Sequence, residues 1–119
     1  MDLQINSGAV PYTVACTCER LDAPVAIGFK DRMREILSAA PREVLLDLSS
    51  VRFLDSSGLG ALVAVLKLAQ PDRRLMLSGM TPAVEKVFRL TRMDTVFEIV
   101  TPFPDAGRAR DTARATDAA

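Results

Sequence analysis

The stretch that most constrains the fold is residues 44–70, VLLDLSSVRFLDSSGLGALVAVLKLAQ. It opens with an apolar run, as expected of a strand that is covered on both faces. It closes with residues 59–69, which carry one charge, Lys67, over about three helical turns. A helix with so little polar surface must be buried on most sides or docked on a partner. The polar turn DSSG, residues 55–58, therefore joins two hydrophobic elements, and that position requires an explanation.

Length and charge favour a single domain that binds neither nucleic acid nor a membrane. A chain of 119 residues buries enough surface to fold as one domain without a metal or a disulfide. Its 15 acidic and 15 basic residues balance, so no basic field attracts nucleic acid or anionic lipid. No apolar run reaches membrane-spanning length, and the first ten residues lack a signal peptide's basic and hydrophobic regions. We therefore expect a cytoplasmic protein without membrane insertion.

The absence of histidine narrows the possible chemistry. Neither a Ser-His-Asp triad nor a Cys-His pair can be built, and two cysteines alone make a zinc site improbable. The chain also lacks the G-x-x-x-x-G-K-[ST] and G-x-G-x-x-G loops of nucleotide-binding domains. The usual hydrolase chemistries and a metal site are therefore not expected, whereas lysine or carboxylate catalysis stays open from composition alone.

Hydrophobic periodicity predicts alternating strands and helices. The predicted strands are residues 3–7, 12–18, 44–48, 74–78 and 96–100, and the predicted helices are residues 25–38, 59–69 and one that opens at Thr81-Pro82 with a hydroxyl cap. This order implies a mostly parallel sheet covered by helices, with the first strand at an antiparallel edge. The domain is expected to span residues 1–101, followed by residues 102–119 as a C-terminal helix, around residues 105–115, or a frayed tail.

The two cysteines are predicted to be structural. Cys16 and Cys18 fall on the same face of the second predicted strand, about 7 Å apart along it. This geometry suits a disulfide poorly, and the cytosol is reducing. The sequence therefore favours two small buried hydrophobic residues.

The DSSG turn has a structural and a functional interpretation. One cap residue at a helix start contributes about 1 kcal/mol, but Asp55, Ser56 and Ser57 supply three in a row. Gly58 and Gly60 each cost about 1 kcal/mol of helix stability relative to alanine, which indicates a close approach to the backbone. A helix N-terminus with free amides also accommodates a phosphate. The turn is therefore either a plain cap or a phosphorylatable, anion-binding site.

A second candidate precedes the first helix. Asp22 lies in a predicted loop, residues 19–24, that follows a strand. Pro24 suits the first turn of a helix, so Asp22 is typical of an N-cap. In a parallel sheet this loop lies on the same rim as Ser56. Asp22 is thus either an exposed cap or part of a contact surface, and Arg20 beside it is either a solvated charge or a contact residue.

These stretches resemble a known family. DLSSVRFLDSSGLGALVAVLKLA is similar to the signature of STAS domains, specifically the bacterial anti-sigma factor antagonists. LDAP with the helix after it, and SGMTPAVEKVFRLTRMDTVFEI, resemble the family's two other recurrent stretches in the same order. The resemblance covers residues 3–100. It implies an α/β sandwich: a small, mostly parallel mixed β-sheet with about four α-helices.

The resemblance also implies a binding switch, a non-enzymatic protein with no catalytic residue and no cofactor. The serine after the aspartate, here Ser56, would be phosphorylated, with Ser57 as the alternative. The kinase would be an anti-sigma factor with a histidine-kinase-like ATPase fold, which the unphosphorylated antagonist binds to free a sigma factor, and a metal-dependent serine phosphatase would reverse the modification. A STAS scaffold or transporter-accessory subunit without phosphorylation is the alternative function. The expected partner-binding residues are Asp22, Asp55, Ser56, Ser57, Gly58, Leu59 and Gly60.

Two positions depart from the family pattern. The family usually has glycine where this chain has Glu19, and it often has glycine where Arg92 ends the third helix. An arginine directly after a helix would have to adopt a left-handed conformation or use a different cap. Both residues bear on loops near the expected partner surface.

Overall fold

The computed structural model describes residues 3–100. In chain order the elements are β1 (Leu3–Asn6), β2 (Tyr12–Cys16), β3 (Arg20–Leu21), α1 (Ala23–Ala39), β4 (Glu43–Asp47), β5 (Phe53–Leu54), α2 (Ser56–Ala69), β6 (Arg74–Ser78), α3 (Pro82–Leu90), a 3₁₀ turn (Met93–Thr95) and β7 (Glu98–Val100). The main sheet has the order β1-β2-β4-β6-β7. Its first pair is antiparallel and the other three pairs are parallel. The predicted mostly parallel mixed sheet with an antiparallel edge is confirmed.

One hydrophobic cluster joins the helices to a face of this sheet. Val14, Leu46 and Leu77, from the three central strands, have no exposed surface and share the cluster with α1 and α2. Phe29 of α1 and Leu62 of α2 are equally buried. Burying a side chain of this size stabilises the fold by roughly 1.5–3 kcal/mol. Because α2 packs against both α1 and the sheet, its near-absence of polar residues has a structural cause.

A second, two-stranded sheet lies beside the main one and was not predicted. In β3 and β5, Arg20 pairs with Phe53 and Leu21 with Leu54, in parallel. The carbonyl of Glu19 extends this pairing by accepting the amides of Arg52 and Phe53, at 2.7 and 3.1 Å. Residues 19–24 were expected to be a loop, because a two-residue strand is too short to show a periodic pattern.

Two other local expectations, the Thr81 cap and the spacing of the two cysteines, are wrong, and the fourth helix is not tested. Within residues 3–100 the chain forms three α-helices, and the fourth one expected, around residues 105–115, lies outside the described part, as do residues 102–119 generally. Thr81 does precede α3, but its hydroxyl donates to the carbonyl of Val51 at 2.8 Å and caps nothing. The sulfurs of Cys16 and Cys18 lie 3.1 Å apart and not about 7 Å, since β2 ends at Cys16 and Cys18 lies outside the strand. None of the described helices has the length and apolar content to cross a membrane.

The two departures from the family pattern have different structural consequences. Arg92 directly follows α3 and its C-cap, with φ 64° and ψ 17°, so it adopts the left-handed conformation, one of the two alternatives expected for it. Glu19 adopts ordinary backbone, because Arg92 is the only non-glycine residue with positive φ in the described chain. Glycine is therefore conformationally favoured at position 92 and not at position 19.

Replacing Arg92 with glycine is expected to stabilise the domain by about 0.5–1 kcal/mol. A left-handed residue with a Cβ costs roughly 1–2 kcal/mol, and the extra entropy of unfolded glycine offsets part of the gain. Urea denaturation of Arg92→Gly and Arg92→Ala checks this, because alanine retains the Cβ and should stay close to the parent. Equal gains in both variants would show that the charge of Arg92, and not its conformation, is unfavourable.

Candidate functional site

The aspartate of the DSSG turn caps two helices at once. Asp55 is the N-cap of α2, and its Oδ1 accepts the amide of Gly58 at 2.9 Å. Its Oδ2 accepts the amide of Ala23, the first residue of α1, at 3.3 Å. One carboxylate therefore ties the N-termini of α1 and α2 together. Two helix N-termini, each with a partial positive charge, meet at this rim of the fold.

The two serines are left free by this arrangement. Ser56 and Ser57 occupy the first two positions of α2, and both are exposed. Neither hydroxyl has a hydrogen-bond partner among residues 3–100. Asp55 therefore provides the helix cap, and the two serine hydroxyls are not needed for capping.

Gly58 and Gly60 differ in the space around their Cα atoms. A Cβ added to Gly58 would lie 1.9 Å from the carbonyl oxygen of Leu21 and 2.9 Å from Cδ1 of Leu54. The expected close approach is therefore confirmed at Gly58, where it comes from the chain's own β3. Gly60 is exposed, with nothing within 4 Å of an added Cβ. Of the two, Gly60 is the one with room for a partner.

The environment of Asp22 corrects the expected cap. Asp22 is the N-cap residue of α1 by position, and its backbone carbonyl accepts the first helical bonds. Its side chain caps nothing and instead accepts Nε of Arg20 at 3.1 Å. The guanidinium of Arg20 also stacks over the ring of Phe53, 4.1 Å from its centroid. Arg20 is therefore held in place by two contacts, although more than half of its side chain is exposed.

The β3–β5 pairing explains why residues far apart in sequence meet here. Leu21 and Leu54, which pair in register, are the residues immediately before Asp22 and Asp55. The structure thus brings together the seven predicted site residues at two neighbouring helix starts, those of α1 and α2. Gly58 is buried and Leu59 half-buried, whereas Ser56, Ser57 and Gly60 face solvent. Contact with a partner remains a prediction for all seven.

A groove between α1 and α2 opens directly beside Ser57. Its volume is about 400 Å³. Ile27 contributes an apolar side chain that is 68% exposed, and Lys30 contributes a cation. Neither residue was predicted as part of the site. Ile27 could have been, because an apolar residue outside the buried stripe of α1 indicates an exposed contact surface. The groove is lined by Ala23, Ala26, Ile27, Lys30, Ser57, Gly60 and Ala61.

No metal site is evident in the described part of the chain, where no three cysteine, aspartate or glutamate side chains converge.

Removing the Asp55 carboxylate is expected to cost about 1–2 kcal/mol of unfolding free energy. Asp55→Ala loses a cap worth roughly 1 kcal/mol on α2 and a weaker bond to α1. Ser56→Ala is the matched control, and it should stay within about 0.5 kcal/mol of the parent. Urea denaturation measures both, and an equal loss in the two variants would contradict the assignment of the cap.

Comparison with known proteins identifies the family. A family model described as "Mlab, STAS domain" matches residues 18–101, well over half of the chain. The chain belongs to the STAS domain family. The anti-sigma-B factor antagonist of Staphylococcus aureus (strain NCTC 8325 / PS 47) is 30% identical over 59 residues, which are 49% of this STAS domain protein and 55% of that relative. The chain thus spans about half the length of the curated relatives it matches.

Solved structures share the fold of this STAS domain. A STAS domain protein from Planctomyces limnophilus has a TM-score of 0.74 at 23% identity, over 87% of this chain and 92% of that one. The antagonist SpoIIAA in its unphosphorylated form has a TM-score of 0.65 at 18% identity, over 90% of this chain and 95% of that one. The phosphorylated form of SpoIIAA, from Bacillus, has a TM-score of 0.61 at 17% identity, over 92% of this chain and 100% of that one. The predicted STAS fold is confirmed, and so is the resemblance to anti-sigma factor antagonists.

Proposed function

We propose that this STAS domain is a phosphorylation-gated anti-sigma factor antagonist that acts by binding and not by catalysis. Its unphosphorylated form binds an anti-sigma serine kinase with a histidine-kinase-like ATPase fold, and the bound kinase releases its sigma factor. Phosphorylation of Ser56 blocks the binding, and a metal-dependent serine phosphatase restores it. These partners act in the cytoplasm, which is the location we propose.

The observation that carries this proposal is an exposed serine pair at the start of a helix that is already capped. Asp55 satisfies the first-turn amide of Gly58, so Ser56 and Ser57 are available to an enzyme without loss of the cap. Two further findings support it. The curated relatives include anti-sigma-B factor antagonists, and SpoIIAA, which has this fold, has both phosphorylated and unphosphorylated forms.

A phosphate on Ser56 is compatible with the fold. It adds nearly two negative charges and three acceptor oxygens beside the N-termini of α2 and α1. The helix dipole favours an anion there by roughly 0.3–1 kcal/mol. The neighbouring Asp55 carboxylate opposes it, but repulsion between charges in contact with solvent is small. We therefore expect modification without unfolding.

The same phosphate would be unfavourable at an interface. The groove beside the next residue, Ser57, is lined by the apolar side chain of Ile27 and by the small residues Gly60 and Ala61. A partner packed into this groove would strip water from the phosphate without neutralising it, apart from any contact with Lys30. An unfavourable charge at an interface costs several kcal/mol, and each 1.4 kcal/mol is tenfold in affinity.

Identification of the native partner tests this proposal. The tagged full chain is purified from its own cell, and the bound proteins and the peptide containing Ser56 are analysed by mass spectrometry. The proposal expects an ATPase-fold serine kinase and a phosphate on Ser56. A membrane transport complex with an unmodified peptide would instead support the transporter-accessory function and overturn the switch.

A further inference from the structure

The only two cysteines of the chain form a close pair just before the site. Cys16 closes β2, and Cys18 lies in the connection to β3. Their sulfurs are 3.1 Å apart, and both are free thiols. Reacting atoms held at about 3–3.5 Å are close to an attack geometry, which favours an intramolecular step strongly over an intermolecular one.

The two thiols differ in access. The side chain of Cys16 is 1% exposed, whereas Cys18 is half-buried. Burial, together with the hydrogen bond to Cys18, raises the pKa of the Cys16 thiol to about 12. The thiolate is the nucleophile in thiol–disulfide exchange, so an incoming oxidant meets Cys18 first and Cys16 acts second.

We propose that Cys16 and Cys18 are a reversible dithiol site, which small-molecule disulfides oxidise to an intramolecular disulfide. The Cys18 thiolate attacks one sulfur of the oxidant, forms a mixed disulfide and expels one thiolate. The Cys16 sulfur then attacks the Cys18 sulfur and breaks the mixed disulfide, and its proton passes through water to the second half of the oxidant, which leaves as a thiol. The oxidant gains two electrons, and the protein loses two hydrogens.

The disulfide is expected to be easily reversed. A bridge between residues two apart closes a very short loop, so it gains little stability from restricting the unfolded chain. The sulfurs must also approach by about 1 Å from their present separation. Bridges of this kind are typically labile and regulatory.

Oxidation acts on the segment that supports the DSSG turn. Cys16 is fixed by the core, so most of the movement falls on Cys18 and the residues after it. Glu19, the next residue, accepts the amides of Arg52 and Phe53 through its carbonyl. Two residues further, the carbonyl of Leu21 lies under Gly58. We therefore expect the oxidised form to loosen the β3–β5 pairing.

The test treats the full chain with oxidised glutathione and measures intact mass without reductant. The parent is expected to lose the mass of two hydrogens and to resist alkylation at both cysteines. Cys16→Ala should stop at one bound glutathione, and Cys18→Ala should remain unmodified over the same time. A parent that keeps two free thiols, retains glutathione or cross-links to a second chain would overturn the proposal. The parent's own result decides, so the test stands even where a variant folds poorly.

Hydrogen exchange of the oxidised parent provides a second readout. The amides of Arg52 and Phe53 should lose protection relative to the reduced protein, and reduction should restore it. Unchanged protection at both amides would contradict the link to β3–β5, because the Glu19 carbonyl would then not have moved.

Discussion

The Gly58→Ala variant is expected to lose about 3 kcal/mol or more of unfolding free energy. The new methyl carbon would lie 1.9 Å from the Leu21 carbonyl oxygen, and backbone cannot rotate away as a side chain can. Leu21 is itself fully buried and paired with Leu54, so the strain must move either β3 or the first turn of α2. Overpacking of a rigid site typically costs 1–3 kcal/mol, and this contact involves backbone on both sides.

Two other helical glycines provide matched controls. An added Cβ at Gly28 in α1 or at Gly60 in α2 meets nothing within 4 Å. Alanine should therefore stabilise each helix by up to about 1 kcal/mol, through helix propensity alone. Urea denaturation of the three variants measures the contrast. A Gly58→Ala variant as stable as Gly60→Ala would show that β3 does not hold α2 at this distance.

The second large effect is expected on partner binding. Ser56→Asp should weaken the affinity for the proposed anti-sigma kinase by tenfold or more, since an unpaired charge at an interface costs several kcal/mol. The melting temperature should change little, because a carboxylate in the first turn of α2 is compatible with the helix dipole. Isothermal titration and thermal denaturation of the same samples separate the two effects.

A matched charge elsewhere makes this result specific. Ser38 is an exposed serine in the last turn of α1, at the end of the helix opposite the site. Ser38→Asp adds the same charge and should leave the affinity unchanged, and Ser56→Ala should also bind like the parent. Equal weakening by Ser38→Asp and Ser56→Asp would mean that net charge, and not the DSSG turn, governs binding.

Most of the fold could be predicted from the sequence, because hydrophobic patterns indicate the buried elements and local backbone rules limit how a helix can end. The apolar run of β4 and the low polarity of α2 predicted a buried strand and a buried helix, and both were found. The left-handed backbone of Arg92 was one of the two alternatives that the end of α3 left open. Both signals are local, so one stretch of sequence sufficed.

The features that were not predicted depend on contacts between residues distant in sequence. Asp55 reaches Ala23 across 32 positions, and β3 pairs with β5 over only two residues, so neither contact leaves a pattern to read. The separation of the two sulfurs was mispredicted because an extended strand was assumed through Cys18. The candidate site was therefore predictable as a set of residues but not as a geometry.

The central claim is that one phosphate on Ser56 switches binding off while the domain stays folded. The most direct measurement incubates the full chain with its co-purified kinase and ATP, maps the modified residue, and compares the affinity of both forms for the kinase. We predict a single phosphate on Ser56, an affinity at least tenfold lower and an unchanged fold by circular dichroism. A phosphate on Ser57 alone, no phosphate, or a phosphorylated protein that binds as tightly as before would contradict the account.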